Sequence, residues 1–275
     1  MSDGPHTPAE QETPTDQYTH GHHASVVDAH ATRSISNSAA YLEPHLAPGL
    51  RLLDVGCGPG TITAEFAERL APGGEVLGID IGDDVIARAA ETFPDVTFEV
   101  QDLYNLDSPD DSWDIVHAHQ VLQHVSDPVA ALREMRRVAK PGGLVAVRDA
   151  DYAAMHWSPQ NPELDRWLDV YRTVAYGNDA EPDAGRWMLG WAREAGFTDI
   201  TPNVSTWLFA NDAGRQWWGG TWSQRVLHSS LATQAVEMGH ATMDELQEIS
   251  AGWTRWSNEP NGWFVVVHGE LLCRV

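Results

Sequence analysis

The stretch LLDVGCGPGT, residues 52–61, joins a short apolar run to a loop that has glycine at every second position. Residues 52–55 have the length and character of a buried strand, and a helical pattern of apolar residues starts at Thr61. Glycine lets a backbone pass close to a ligand, and the loop after a parallel strand lies at the sheet edge where ligands bind. The stretch therefore predicts a loop that holds a nucleotide-like cofactor.

The chain on either side of this loop alternates between strand and helix patterns. Strands are expected over residues 52–55, 76–80, 96–100, 113–118, 144–147, 199–209 and 263–274. Helices are expected over residues 61–70, 84–92, 128–139, 162–176, 183–195, 212–236 and 242–255. This alternation predicts an α/β, Rossmann-like fold in which a seven-stranded, mostly parallel sheet carries helices on both faces.

The N-terminal part differs from the rest in composition. Residues 1–17 are rich in Pro, Thr, Glu, Asp and Gln and have little to bury, so a disordered N-terminus is expected. Two helices are expected after it, near residues 25–34 and 37–45. Residues 49–275 would form the main domain, in which residues 211–258 are a helical insertion before the last strand.

Composition narrows the classes of function. The chain has 40 acidic and 17 basic side chains and a formal net charge of −23, which disfavours nucleic-acid binding, although acidity can also serve solubility alone. Its two cysteines have no spacing typical of a zinc or iron–sulfur site, and no metal is expected. The sequence has no apolar run long enough to cross a membrane and no secretory leader pattern, so a cytoplasmic location is expected.

The glycine spacing argues against a dinucleotide. Its motif is D-x-G-x-G-x-G, whereas the dinucleotide fingerprint is G-x-G-x-x-G. A pyrophosphate favours amide donors at a helix N-terminus, and the carboxylate of Asp54 would repel it. A carboxylate at this point suits a cofactor with a cationic group, so an NAD-dependent dehydrogenase is the disfavoured alternative.

Residues 18–147 resemble a known family. LDVGCGPGT is similar to the first motif of class I S-adenosylmethionine-dependent methyltransferases. The stretches VLGID, HAHQVLQHVSDP and LREMRRVAKPGG follow in the order typical of the branch that includes quinone-biosynthesis C-methyltransferases and many actinobacterial small-molecule methyltransferases. The resemblance implies S-adenosylmethionine as the cofactor, whose sulfonium and amino groups are cationic.

The resemblance also implies which residues contact this cofactor. Asp80 would bind both ribose hydroxyls, and Ile81 would pack on the adenine face. Gln101, Asp102 and Leu103 form the segment that would contact the adenine. The other implied contacts, from the N-terminal part, the glycine loop and the end of the fourth strand, are Tyr18, His22, Arg33, Asp54, Gly56, Cys57, Gly58, His119, Gln120 and His124.

In similar methyltransferases a flexible N-terminal helix closes over the cofactor, which implies that residues 18–48 form a lid. Tyr18, His22 and His23 would then touch the methionine end of the cofactor or the acceptor, or exclude water. Arg33 would meet the cofactor carboxylate or lie on the surface. Histidine is a common metal ligand, but no cysteine near YTHGHHASVVDAH completes a ligand set.

Three residues are candidates for proton transfer. His119 lies where the donor methyl is expected and would act as acid or base or orient the acceptor; a hydrogen-bonded pocket histidine is the alternative. Asp151, or Asp149 near it, would accept a proton from the acceptor, although a surface position agrees with the pattern equally well. Tyr18 is the third candidate, and Tyr152 is expected to contact the acceptor.

Tryptophan is concentrated in one part of the chain, since seven of the 12 tryptophans lie between residues 207 and 263. Trp217, Trp218 and Trp222 belong to the insertion, which in similar methyltransferases forms a lid over the acceptor. Their indoles would stack on a flat aromatic acceptor or cover an isoprenoid one. Ordinary packing in the core or in a dimer is the alternative, and a homodimer would be consistent with a large helical lid.

The expected reaction is methyl transfer from S-adenosylmethionine to an electron-rich small molecule. A carbon of an aromatic acceptor of the indole or quinol type, or of a prenylated natural product, is the leading prediction. Transfer to oxygen or nitrogen is the alternative within this class. A protein that binds S-adenosylmethionine without catalysis is the alternative outside it, together with the dehydrogenase. No nucleic-acid or membrane partner is expected.

Overall fold

The structure, a computed structural model, describes residues 32–275 of the chain. The predictions for residues 1–17, for Tyr18, His22 and His23, and for nearly all of the helix at residues 25–34 lie outside the described residues. Within residues 32–275, no helix combines the length and the apolar character that crossing a bilayer requires. The same residues contain no group of three or more His, Cys, Asp or Glu side chains arranged to hold a metal ion.

A seven-stranded sheet is the centre of the described part. Its strands, in chain order, are β1 Arg51–Val55, β2 Glu75–Asp80, β3 Thr97–Val100, β4 Trp113–His119, β5 Ala139–Ser158, β6 Asp199–Phe209 and β7 Trp263–Arg274. Their order across the sheet is β3-β2-β1-β4-β5-β7-β6. The first five strands are parallel, and β7 runs antiparallel to both of its neighbours. This confirms the predicted α/β fold with a mostly parallel sheet.

Helices cover both faces of this sheet. They are α1 Ile35–Ser38, α2 Thr61–Leu70, α3 Asp83–Thr92, α4 Pro128–Val138, α5 Pro162–Gly177, α6 Ala184–Glu194, α7 Asp212–His228, α8 Ser230–Glu237 and α9 Met243–Ser257. Short 3₁₀ helices lie at Glu43–His45 and Leu122–His124. The start of α4 shows the local rule that made these elements predictable, because Asp127 caps the helix with its side chain and Pro128 occupies the first turn.

Three predicted elements differ from the structure. The helix predicted over residues 37–45 is wrong, because a capping box at Ser34 starts the short α1 and the chain then forms a separate 3₁₀ helix. The helix predicted over residues 212–236 is two helices, because Ser229 has an extended backbone between α7 and α8. Strand β5 is longer than predicted, since it continues beside β7 as far as Ser158.

Three apolar clusters form the core. One joins the sheet to α4 and α6 and includes Val55, Ala118 and Val147. A second lies under α1 and α2. The third, the tryptophan-rich core, joins α5, α7, α8 and α9 to β5 and β7, and its tryptophans are Trp157, Trp167, Trp218, Trp222, Trp253 and Trp256. The helices of the predicted insertion are therefore packed on the sheet through buried indoles.

Helix α6 approaches β7 at two glycines. A Cβ on Gly269 would overlap the backbone of Gly185, and a Cβ on Gly185 would lie 2.9 Å from the carbonyl oxygen of Asp149. Backbone therefore meets backbone where α6 crosses the sheet. This close contact requires that neither position carry a side chain.

Gly269→Ala is expected to destabilise the fold by about 1–3 kcal/mol, because the added methyl group must push α6 away from β7. Gly190→Ala is the matched control on the exposed side of α6, where no atom lies near an added Cβ. It should stabilise the protein by about 0.5–1 kcal/mol, since alanine favours the helix more than glycine does. Urea unfolding followed by tryptophan fluorescence measures both changes. A Gly269→Ala variant as stable as the wild type would contradict the close contact.

Candidate active site

The glycine loop has a left-handed backbone at each of its glycines. Gly56, Gly58 and Gly60 have φ angles of 65°, 55° and 81°, a region that residues with a side chain rarely adopt. A Cβ on Gly56 would overlap a methyl group of Val121, whereas the space beside Gly58 is open. The loop therefore turns tightly out of β1 and presents its backbone to the space in front of it.

The carboxylate of Asp54 connects the elements behind the loop. Thr63 of α2 donates its hydroxyl to one oxygen at 2.6 Å. His117 of β4 lies 2.7 Å from the other oxygen through Nδ1, which donates because a carboxylate only accepts. Asp54 is buried and borders the cavity described below. Its observed contacts fix the positions of α2 and β4 relative to β1.

Asp80, at the end of β2, has a carboxylate oriented by backbone amides. The amide of Gly58 donates to one oxygen and the amide of Gly82 to the other, each at 3.1 Å. The next side chain, Ile81, is 71% exposed. A carboxylate and an apolar surface thus lie side by side, which suits a ribose with an attached base.

A cavity of about 210 Å³, the glycine-loop cavity, lies in front of these residues. Every predicted cofactor residue within the described part lines it, and these residues are Arg33, Asp54, Gly56, Cys57, Gly58, Asp80, Ile81, Gln101, Asp102, Leu103, His119, Gln120 and His124. Val85, Tyr104, Val121 and Val125 line it too and were not predicted. The sequence indicates these four residues only through their position, because each follows a predicted residue within a few positions.

The segment after β3 is held by its own hydrogen bonds. Gln101 donates its side-chain amide to Glu99 at 2.7 Å. Asp102 accepts the backbone amide of Tyr104 through one oxygen at 2.9 Å. These contacts fix the backbone of the segment beside the cavity. The side-chain amide nitrogen of Gln101 already has a hydrogen-bond acceptor within the protein.

The thiol of Cys57 and the ring of His119, which both line the glycine-loop cavity, are neutral near pH 7. Burial raises the pKa of the Cys57 thiol, and two nearby carboxylates raise it further, which agrees with a passive role. Burial lowers the pKa of His119 well below its usual value, and the charges of Arg33 and Arg148 add to the effect. Neither ring nitrogen of His119 has a hydrogen-bond partner within residues 32–275. A neutral His119 cannot donate a proton as an acid near neutral pH.

A second cavity, of about 420 Å³, lies beside the first and is here called the β6 cavity. Tyr152, Trp217 and Trp218, which were predicted to contact an acceptor, line it. Trp207 and Phe209 of β6 line it too and were not predicted. Within the described part of the chain, the two cavities share three wall residues, which are Arg33, Gln120 and His124.

Three residues that were predicted to act on the acceptor lie outside the β6 cavity. Trp222 is fully buried in the tryptophan-rich core, with its ring centroid 4.5 Å from that of Trp167, which agrees with the alternative of ordinary core packing. Asp151 lines neither cavity, and Arg186 binds its two oxygens at 2.8 and 2.6 Å, so the structure places this carboxylate away from the predicted acceptor. His119 borders the glycine-loop cavity alone, which places it with the cofactor residues.

A polar network of β5, β6 and β7 reaches the β6 cavity and was not predicted. Glu270, which is 4% exposed, accepts a hydrogen bond from Nε of Arg148 at 3.2 Å. The hydroxyl of Ser205 and the side-chain amide of Asn203 also donate to it. Among residues 32–275, Glu270 is the one acidic side chain that lines this cavity. The sequence indicates Glu270 only as a charged residue within the largely apolar run VVVHGELL. Its hydrogen-bond partners are distant in sequence.

Gln120 is held at the boundary between the two cavities. Its backbone is left-handed, with a φ of 55°, and its N–H donates to the carbonyl of Arg148 at 2.7 Å. Its side-chain amide nitrogen donates to Nε2 of His268 at 3.0 Å, and its amide oxygen accepts from Arg33. Non-glycine residues in this backbone region are uncommon and concentrate at functional sites.

The fold and the site together define a class I, S-adenosylmethionine-dependent methyltransferase. Residues 46–199 match the family model described as a methyltransferase domain, which is more than half of the chain. The chain belongs to this methyltransferase family, and S-adenosylmethionine is its cofactor. The resemblance expected from the glycine loop and the motifs after it is thereby confirmed.

Two relatives match over almost the whole chain. An uncharacterized methyltransferase of Schizosaccharomyces pombe is 34% identical over an alignment of 275 positions that covers 94% of this chain and 97% of that protein. A probable methyltransferase of Aspergillus luteorubrus is 31% identical over an alignment of 280 positions that also covers 94% of this chain and 97% of that protein. The demethylmenaquinone methyltransferase of Beutenbergia cavernae is 33% identical over 138 residues, which are 50% of this chain and 55% of that protein. The solved structure of the YcgJ protein of Bacillus subtilis shares the fold, with a TM-score of 0.53 at 20% identity over 86% of this chain and 97% of that chain.

Asp80→Asn is expected to weaken the binding of S-adenosylhomocysteine about 10- to 100-fold, because the predicted hydrogen bond to the ribose would no longer have a charged acceptor. Asp84→Asn, in the exposed first turn of α3, is the matched control and should leave the affinity unchanged. Isothermal titration calorimetry measures both dissociation constants. An unchanged affinity in Asp80→Asn, or tighter binding of NAD than of S-adenosylhomocysteine by the wild type, would contradict the assignment.

His119→Gln is expected to reduce the loss of stability in acid. The lowered pKa of the buried His119 means that its contribution to stability is complete above the unfolded-state pKa near 6.5 and falls as the pH drops below that value. Between pH 7 and pH 5 the wild type should lose about 2 kcal/mol more unfolding free energy than the variant.

Urea titrations of the two proteins at pH 7, 6 and 5 measure this difference. His45→Gln, which changes an exposed histidine, is the control and should follow the wild type. If the unfolding free energies of the wild type and His119→Gln fall in parallel with pH, His119 can be protonated in the folded chain without loss of stability, which would contradict the prediction.

Proposed function

We propose that the chain transfers a methyl group from S-adenosylmethionine in the glycine-loop cavity to an electron-rich small molecule in the β6 cavity. The observation that carries this proposal is the shared wall, because Arg33, Gln120 and His124 border both cavities. A methyl donor in the first cavity and an acceptor atom in the second would meet at these side chains. Holding the two in line supplies several kcal/mol of the reduction in barrier.

The residues of the glycine-loop cavity fit S-adenosylmethionine. Gly56 packs closely against Val121 because it lacks a side chain, and its backbone lines the cavity. The oriented carboxylate of Asp80 suits the ribose hydroxyls, and the exposed Ile81 suits the face of the adenine. The buried ring nitrogens of His119 offer a hydrogen-bond partner to the polar methionine end. Arg33 carries the charge that the cofactor carboxylate needs.

The lining of the β6 cavity favours a flat aromatic acceptor. Its volume of about 420 Å³ lies in the usual range for small-molecule sites. Trp218 stacks on Phe209 with ring centroids 4.5 Å apart, and Tyr152 stacks on Tyr171 at 4.1 Å. Walls that are braced in this way are already shaped before a ligand binds, which reduces the entropy lost on binding.

The methylated atom is proposed to be a carbon of an indole, a quinol or a prenylated aromatic ring. The demethylmenaquinone methyltransferase that matches half of the chain supports a quinol-type ring, and the tryptophans of the β6 cavity support an indole. Transfer to oxygen or nitrogen is the second candidate. It is favoured by Ser205 and Glu270, which line the same cavity and can bind an O–H or N–H group directly.

The role of the protein in the reaction is to align the acceptor and to accept its proton. When bound, S-adenosylmethionine supplies a methyl group on a positively charged sulfur, and the sulfur becomes neutral as the methyl group is transferred. We assign the role of proton acceptor to Glu270 in place of Asp151. Arg148, Ser205 and Asn203 orient this carboxylate. Removal of a proton from a hydroxyl or ring N–H makes the ring carbons more nucleophilic.

Two segments are proposed to close the site. Residues 18–48 would cover the cavities, since Arg33 lines both of them. Residues 211–258 would form the acceptor side, since Trp217 and Trp218 line the β6 cavity. The residues proposed to reach the cavity mouths from the first segment are Tyr18, His22 and His23. We also propose that the protein is cytoplasmic and forms a homodimer.

The proposal is tested by incubating the protein with S-adenosylmethionine labelled in its methyl group and a panel of indoles, quinols and flavonoids. Nuclear magnetic resonance of the product then identifies the methylated carbon, oxygen or nitrogen. Transfer only to protein or nucleic acid would defeat the proposal. Binding of S-adenosylhomocysteine without transfer to any acceptor would favour the protein that binds without catalysis.

Trp217→Ala is expected to raise the KM for the acceptor about 10-fold, because one aromatic wall of the β6 cavity is lost. Its stability and its affinity for S-adenosylhomocysteine should stay close to those of the wild type. Trp222→Ala is the matched comparison from the core and should lose about 3–5 kcal/mol of unfolding free energy. Steady-state kinetics and urea unfolding separate the two effects. An unchanged KM in Trp217→Ala would place the acceptor elsewhere.

A further inference from the structure

Gln123 is a buried glutamine that connects the 3₁₀ helix Leu122–His124 to β5. The residue is 3% exposed and lines the β6 cavity. Its backbone N–H donates to a carboxylate oxygen of Asp149 at 3.0 Å, and its side-chain oxygen accepts the backbone N–H of Ala150 at 3.1 Å. Two consecutive residues of β5 therefore hold Gln123 by its backbone and by its side chain.

The contact with Ala150 decides the orientation of the side-chain amide of Gln123. A backbone N–H can only donate a hydrogen bond, so the atom of Gln123 that faces it is the amide oxygen. The amide nitrogen then lies on the other side, 2.9 Å from Nε2 of His124. An amide nitrogen can only donate as well, so Nε2 of His124 is the acceptor and carries no proton.

This contact determines the tautomer of His124. A neutral histidine ring without a proton on Nε2 carries its proton on Nδ1. A positively charged ring would place a second N–H against the amide nitrogen of Gln123, and two donors cannot form this hydrogen bond. Burial lowers the pKa of His124 to about 3, and the charges of Arg33 and Arg225 add to the effect, which agrees with a neutral ring. Any further hydrogen bond of the ring is therefore donated by Nδ1.

The tautomer matters because His124 borders both the glycine-loop cavity and the β6 cavity. One of its ring nitrogens is bound by Gln123, and the other already carries a proton. Such a ring cannot accept a proton from a methyl acceptor. His124 can therefore orient the groups around it, and the acceptor's proton must go to another side chain, which agrees with the role proposed for Glu270.

We infer that Gln123 is a positioning residue for the proposed methyl transfer, because it holds His124 in the tautomer that carries its proton on Nδ1. Gln123 acts through His124, and its contacts with β5 fix the ring at the wall where the methyl donor and the acceptor would meet. The second ring nitrogen of a histidine is commonly fixed in this way by the hydrogen bond that the first one makes. The positioning role rests on the proposed function, whereas the tautomer can be measured without turnover.

The tautomer is measured by nuclear magnetic resonance of the full chain with nitrogen-15 in its histidines, at pH 8. The nitrogen shifts distinguish a ring nitrogen that carries a proton from one that does not, and the signals lost in His124→Asn identify His124. In the wild type we expect a proton on Nδ1 and none on Nε2. In Gln123→Glu we expect a proton on Nε2, because a carboxylate can only accept. Gln247→Glu, the same change at an exposed position of α9, should keep the wild-type pattern.

The positioning role is measured by steady-state methyl transfer to an acceptor from the panel. Gln123→Glu should lower kcat about 10-fold and leave the KM for S-adenosylmethionine close to that of the wild type, as expected for the loss of one hydrogen bond. His124→Asn should have a kcat about 10-fold above that of His124→Gln. The amide nitrogen of asparagine lies near the place of Nδ1 and keeps its donor there, whereas that of glutamine lies near the place of Nε2.

A proton on Nε2 of His124 in the wild type, an unchanged tautomer in Gln123→Glu, or a wild-type kcat in Gln123→Glu would overturn the inference. If Gln123→Glu does not fold, the wild-type spectrum and the order of the two His124 variants decide. A protein that transfers no methyl group to any acceptor would contradict the proposed function instead, and its spectra would still decide the tautomer. The two failures are therefore distinguishable.

Discussion

The buried carboxylate of Asp54 is the contact on which the geometry of the site depends. A carboxylate inside a protein is stable only when hydrogen-bond donors surround it, and Asp54 takes its donors from two other elements. Thr63 belongs to α2 and His117 to β4, so three elements meet at one charge. The glycine loop lies between Asp54 and α2, and His119 and Gln120 follow His117 at the end of β4. One carboxylate therefore positions both the loop and the opposite wall of the cavity.

The boundary between the two cavities depends on a second buried group, His268. Gln120 can only donate to Nε2 of His268 when that nitrogen carries no proton. Burial lowers the pKa of His268 well below its usual value, and the charges of Arg148 and Arg33 add to the effect, so the neutral ring is the favoured form. The amide of Gln120 then points its oxygen to Arg33. A neutral histidine on β7 thus sets the orientation of two side chains that border both cavities.

The cofactor side could be predicted from the sequence in more detail than the acceptor side. Its residues lie in short contiguous stretches, each at the carboxyl end of a parallel strand, and such ends meet at one edge of a sheet. The acceptor side depends on contacts that no local pattern contains. Trp217 and Trp222 lie on the same helix, and packing against α5 and α9 decides which of them is buried. Likewise, nothing near Asp151 in the sequence indicates that Arg186 occupies its carboxylate. Glu270 was missed because its donors come from two other strands.

The net charge of the chain and the charge of the site act on different ligands. Exposed charges are screened over about 8 Å at physiological ionic strength, and a nucleic acid must bring many phosphates within that distance of the acidic surface. A small acceptor meets mainly the groups that line the β6 cavity, whose arginine and acidic side chains among residues 32–275 are Arg33, Arg225 and Glu270. Composition therefore disfavours a polyanionic partner and places no restriction on the charge of a small acceptor. Which charge the cavity favours on the acceptor depends on a few side chains. These side chains come together only when α7 is folded against β6 and β7.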